Sequence, residues 1–174
     1  LARLAWEVSR GPIYQFVPGD EFRFMLSAAR SADLIDQTVI LDLEDGVPGD
    51  KDVAREVMMR LVPLFSGEPV SQEDVEYIWQ HARGISRQPP ADRTREEREQ
   101  FDARFEQTAE GVRLKEEFRF PPGLRIVVRF NGLDTPEGTR DRLVVLGRNG
   151  HLIDGVCVPK DANANELAKE VGIL

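Results

Sequence analysis

The chain has 174 residues, 41 % of them hydrophobic and 31 % charged, which is enough apolar material for a sizeable core. Its 31 acidic against 23 basic side chains leave a formal net charge of -8, so the clustered basic surface that nucleic-acid binding rests on is not expected. One cysteine, Cys157, rules out a disulfide framework or a thiolate metal site; with no apolar run long enough to span a bilayer and no signal-peptide core, a reducing, cytoplasmic setting without a membrane partner is expected.

Residues 13–17 (IYQFV) are β-branched and aromatic and are closed by Pro18-Gly19, which predicts a short buried strand. Asp20 is then placed to cap a helix over residues 21–30, where Phe22, Met25, Leu26 and Ala29 recur on one face. A second strand follows at 38–43 (TVILDL), and Asp50 caps a second helix running through DVAREVMMRLVPLF. The third strand is 124–130 (LRIVVRF), with a helix around 136–146. The fourth is 155–158 (GVCV), with a last helix from about 163 to 171. The strands are apolar on both faces and alternate with helices, as parallel strands covered by helices should.

Residues 68–120 break this beat. Ser71-Gln72-Glu73-Asp74 forms a capping box ahead of VEYIWQHARG, Pro89-Pro90 follows, and the charged run ADRTREEREQFDARFEQTAEGVRLKEEF comes next. Phe101, Phe105, Val112 and Phe118 give this run only a thin apolar stripe. It reads as an inserted, charged helical hairpin outside the strand core: a solvated excursion, or alternatively a lid or an oligomer contact.

In parallel α/β folds chemistry collects where strands end, because the loops converge there and helix N-termini point amides at the site. All four predicted strands end in polar or glycine-containing residues: Pro18-Gly19-Asp20, Asp42-Leu43-Glu44-Asp45-Gly46, Arg129-Phe130-Asn131-Gly132 and Pro159-Lys160-Asp161. Side chains two apart share a strand face, so Asp42 and Glu44 follow Ile40, and Arg129 follows Val127. Carboxylates and a guanidinium therefore meet at one rim. Such a cluster is either a binding site or an ion-pair network of Asp42 or Glu44 with Arg129 or Lys160.

The stretches FVPG, ILDLEDGV, RFNGLDTP and GVCVPK follow one another in an order that resembles the citrate lyase beta-subunit-like family, which includes citryl-CoA and malyl-CoA lyases. The resemblance covers the chain apart from the insertion. It implies a TIM (β/α) barrel, of which residues 1–174 would be the N-terminal half with about four βα units, and a magnesium ion (Mg2+) that holds substrate oxygens and stabilises an enolate during Claisen-type cleavage or condensation of an acyl-CoA. By position it implies that Arg129 grips the substrate's carboxyl or carbonyl oxygens, with Glu44 and Asp45 as the acidic pair reached by the metal through water. Lys51 would be a CoA contact, and Asp42, Asn131 and Lys160 would support the site; Asn131 and Asp134, which match RFNGLDTP, alternatively only shape its loop. The metal's direct ligands would come from later strands that this chain does not contain, and the full-length form is expected to be a homo-oligomer. Three departures stand out: Glu21-Phe22 in place of the frequent Arg-Pro after the first PGD or PGS, a loop after the second strand one residue shorter than the commoner form, and a length well below the about 250 residues of a whole barrel. A metal-dependent pyruvate aldolase acting on a small keto acid without CoA is the nearest enzymatic alternative. Those aldolases commonly carry a histidine base where this chain has Asp45, whereas His81 and His151 lie elsewhere. A non-catalytic half-barrel binding module is the alternative of another class.

Overall fold

Alternation along the strands decides which side of the sheet is covered. Val17, Val39, Leu41, Ile126 and Val128 are each at most 4 % exposed, whereas Phe16, one position out of step, is 55 % exposed. The computed structural model describes residues 14–31, 38–44, 47, 50–132 and 135–157. In chain order these form β1 (Tyr14–Pro18), α1 (Phe22–Arg30), β2 (Thr38–Asp42), α2 (Lys51–Phe65), α3 (Gln72–His81), α4 (Arg95–Asp102), β3 (Phe105–Gln107), β4 (Val112–Leu114), β5 (Arg125–Arg129), α5 (Pro136–Asp141) and β6 (Gly155–Cys157). A π-helical turn over Arg142–Leu146 prolongs α5.

The fold is α/β: β1, β2, β5 and β6 form one sheet in that spatial order, and every pairing in it is parallel. Neighbours in space thus follow one another along the chain, the β3–β4 hairpin aside. The expected fourth strand holds over 155–157; residue 158 and the expected helix at 163–171 lie outside the described residues. No helix among the described residues is long and apolar enough to cross a membrane.

Local chemistry explains where the helices begin. Asp50 caps α2 by accepting from the amides of Asp52 (2.9 Å) and Val53 (3.3 Å). At α1 the expectation fails: the capping position belongs to Glu21, which makes no side-chain cap, because the Asp20 carboxylate is taken by Arg83. On α1 the residues Phe22, Met25, Leu26 and Ala28 are buried, and on α2 a much wider face is, including Val57, Met58, Leu61, Val62 and Phe65.

The insertion departs from a helical hairpin. Two helices are present, each with a complete capping box, Ser71 with Asp74 at α3 and Thr94 with Glu97 at α4. The second half is instead an antiparallel hairpin, β3 against β4, and β4 is tied back to Val70 by reciprocal backbone bonds of 2.9 and 2.8 Å between Val70 and Val112. The turn needs Gly111 at φ +146, where a side chain would also press on the Val70 carbonyl. Nor is the apolar stripe thin. Phe101 is wholly buried and meets Phe22 (5.4 Å between centroids), Trp79 (5.2 Å) and Phe105 (4.9 Å), while Phe120 stacks on Phe65 at 5.2 Å. The insertion therefore lies outside the strands but shares one continuous core with α1 and α2.

Candidate functional site

Parallel pairing puts the carboxyl ends of all four strands on one side, and the register aligns Pro18, Asp42, Arg129 and Cys157 in a row at that rim. Arg129 lies between the carboxylates of β2 and the loop after it. Its Nη1 meets Asp42 Oδ2 at 3.4 Å, and its Nη2 pairs with Glu44 Oε2. The Asp42 side chain is 9 % exposed and that of Arg129 13 %, against 26 % for Glu44. Asp42 is held further because its Oδ1 accepts from the Glu44 amide at 2.8 Å. The trio that strand parity brings together on paper is together in the fold.

The loop after β2 is fixed through its carbonyls. Lys51 Nζ donates to Leu43 O at 2.8 Å and to Glu44 O, so the ammonium expected at a CoA contact is turned into this loop. Asn131 Nδ2 donates to the same Leu43 carbonyl at 3.2 Å and to Asp141 Oδ2 at 2.7 Å. Its backbone amide also donates to Asp141 Oδ2, at 2.9 Å. Behind it, Asp141 Oδ1 accepts from Arg55 Nε (2.8 Å) and pairs with Arg55 Nη2 (2.7 Å), with side chains 1 % and 3 % exposed. Gly138 allows α5 to sit this close, since a Cβ there would stand 2.0 Å from Gly132 O. Thr135 Oγ1 caps α5 by accepting from the Gly138 amide at 3.0 Å and donates to Gly132 O at 2.6 Å.

On the β1 side the insertion reaches the rim. Arg83, just past α3, forks onto Asp20 at 2.7 and 2.6 Å, and this bond holds its guanidinium above the ordinary pKa against the opposing effect of burial. Backbone bonds reinforce it: the Arg83 amide donates to Asp20 O and the Phe22 amide to Arg83 O, each at 2.9 Å. Gly84, at φ +73, lies so near Glu21 that a Cβ would come within 2.8 Å of its Cγ. The Gly19 amide in turn donates to Asp42 O at 3.0 Å, linking this anchored loop to β2.

Asp45, Asp134 and Lys160 lie outside the described residues. Arg55, Asp141 and Arg83 are the rim's supports that sequence reasoning missed, and Asp20 was read as a helix cap and not as the partner of Arg83. Arg55 carried a signal: it stands in register with Met58, Met59 and Val62 on the apolar face of α2, where a charge must find a buried partner. Among the described residues no three or more His, Cys, Asp or Glu side chains gather as a metal would require. Asp42 and Glu44 are both engaged with Arg129, so the described residues do not by themselves fit a magnesium ion. What they form is a guanidinium in a tightly supported corner, next to one fixed carboxylate and one more exposed one. Scanned against family models and curated proteins the chain matches none, so any functional reading stands on this rim and on the motifs that form it.

Proposed function

We propose that the chain is the substrate-gripping, N-terminal half of a TIM-barrel carbon–carbon lyase that performs Claisen-type cleavage or condensation on an acyl-CoA thioester such as malyl-CoA or citryl-CoA, in a magnesium-dependent reaction. One observation supports this reading most: Arg129 lies in register with Asp42 and is paired with Glu44 at the strand ends, on the residues that carry the motif resemblance. The sequential order of an all-parallel sheet is also what a barrel's first units require.

In this reading an incoming carboxylate or carbonyl takes the planar fork of Arg129 in two hydrogen bonds. Glu44, the more exposed carboxylate, is the one that gives way, while Asp42 stays to hold the guanidinium plane. The described residues do not make a metal site of their own, so the magnesium of this reading would depend on ligands beyond them. The test is release of acetyl-CoA from malyl-CoA or citryl-CoA by the native gene product with Mg2+, compared with its Arg129→Lys variant. Turnover that collapses in the variant supports the reading, and absence of turnover on either thioester sinks it.

A specific observation favours a second reading, a metal-dependent aldolase acting on a small keto acid without CoA. The described cations nearest the rim are engaged within the protein: Lys51 on two carbonyls, Arg83 on Asp20 and Arg23 on Glu21 at 3.2 Å. CoA phosphates would have to compete for them. Cleavage of a hydroxy-keto acid to pyruvate, with no effect of added CoA, would select this alternative.

A further inference from the structure

The orientation of one amide at the rim is fixed by its neighbours. Asn131 Nδ2 lies between two groups that can only accept, the Leu43 carbonyl at 3.2 Å and the Asp141 carboxylate at 2.7 Å. Both amide hydrogens are therefore spent, and the amide cannot flip without setting oxygen against oxygen. Oδ1 is consequently turned away from both groups, and among the described residues no donor is placed on it. The carboxylate that imposes this orientation is itself fixed: Asp141 is 1 % exposed and its other oxygen is taken by the equally buried Arg55. Asn131 lies two residues past Arg129, beyond the end of β5, and meets the loop after β2 through Leu43 as Arg129 does through Glu44.

A buried ion pair is costly to assemble, and this one spends its second carboxylate oxygen on orienting a half-buried side chain two residues from the binding guanidinium. We propose that Asn131 is a second recognition residue of the rim: its Oδ1 accepts from a hydroxyl or N–H of the ligand whose carboxylate or carbonyl Arg129 holds, with Arg55 and Asp141 as its positioning pair. The ligand class that follows carries a donor close to the carboxylate, as a hydroxy acid does. The inference rests on the Arg129 reading above.

Malate and succinate, two dicarboxylates that differ by one hydroxyl, separate the two claims when titrated into the 15N-labelled native gene product. The wild type should bind malate about fivefold more tightly, the worth of one ordinary net hydrogen bond. Only malate should shift the Asn131 side-chain NH2 signals. Asn131→Ala should bring the two affinities together, while Arg129→Lys should weaken both acids alike. Equal affinity for the two acids in the wild type, or a preference kept by Asn131→Ala, overturns the role of Asn131 and leaves that of Arg129 standing. Failure of both acids to bind the wild type overturns both. The wild-type titration and its NH2 signals decide the matter even if Asn131→Ala does not fold.

Discussion

At the scale of single residues the rim sets two kinds of charge pair apart. Arg129 faces one buried carboxylate, Asp42, and one partly accessible one, Glu44, whereas Arg55 and Asp141 are sealed. Arg129→Lys should leave the fold intact, because a lysine still reaches one carboxylate, but should cost about 1.5–3 kcal/mol of substrate or transition-state binding through loss of the bidentate fork. Thermal unfolding and kcat/KM measured on that one variant check it; a lowered Tm with unchanged kcat/KM would make Arg129 a structural partner only. Arg55→Met should behave oppositely, since it strands a buried carboxylate, with a loss of about 3–5 kcal/mol in a denaturant titration. Strand parity alone brought Asp42, Glu44 and Arg129 to one face, because a period of two is a property of the backbone. It was blind to Asp141 and Arg83, whose partners are 86 and 63 positions away in the chain, a separation no local pattern encodes.

At the scale of elements the insertion is where sequence reading and structure part. The capping box of α3 is local chemistry and was legible as such in Ser71 and Asp74, whereas that of α4, Thr94 with Glu97, was not read. The β3–β4 hairpin was not read, although Val112 and Leu114 are buried on either side of a half-buried Arg113, because the surrounding Arg and Glu residues suggested a charged helix. Phe101 ties the insertion to Phe22, and Phe120 ties it to Phe65. Phe101→Ala should therefore destabilise the whole protein by about 3–5 kcal/mol, and deletion of residues 68–120 should abolish the cooperative transition by uncovering Phe22 and Phe65. A deletion variant that still melts cooperatively would return the insertion to the status of an appendage. Between α3 and α4, the hydrogen bond from Arg98 holds the Glu76 carboxyl below the ordinary glutamate range. A depressed carboxylate stabilises above its unfolded pKa and loses that contribution as pH falls through the folded value. The stability gap between wild type and Glu76→Gln should accordingly narrow as pH falls beneath the ordinary glutamate range, and a gap that does not narrow in acid would show that the pair does not act through charge.

At the scale of the whole molecule, the sheet and the rim impose different demands. The four parallel strands and their covered face are satisfied by the described residues, since the apolar side chains facing the helices are nearly all sealed. Among the described residues the rim is an ion-pair network. Asp42 and Glu44 share Arg129, and Lys51 is committed to the loop carbonyls. A hard divalent cation prefers several oxygen ligands and keeps its waters when carboxylates are few, and here binding would also have to draw Glu44 away from Arg129. The isolated 174-residue chain should therefore bind Mg2+ weakly and show no lyase activity, even where the native gene product is active. If the barrel reading holds, that product should have a mass matching about 250 residues or more. Calorimetry on the chain should give a magnesium affinity no tighter than the millimolar range, and Arg129→Ala should tighten it by releasing Glu44 and Asp42. Tight binding to the wild-type chain, or weaker binding in the variant, would mean that Arg129 organises the metal site instead of competing for its ligands.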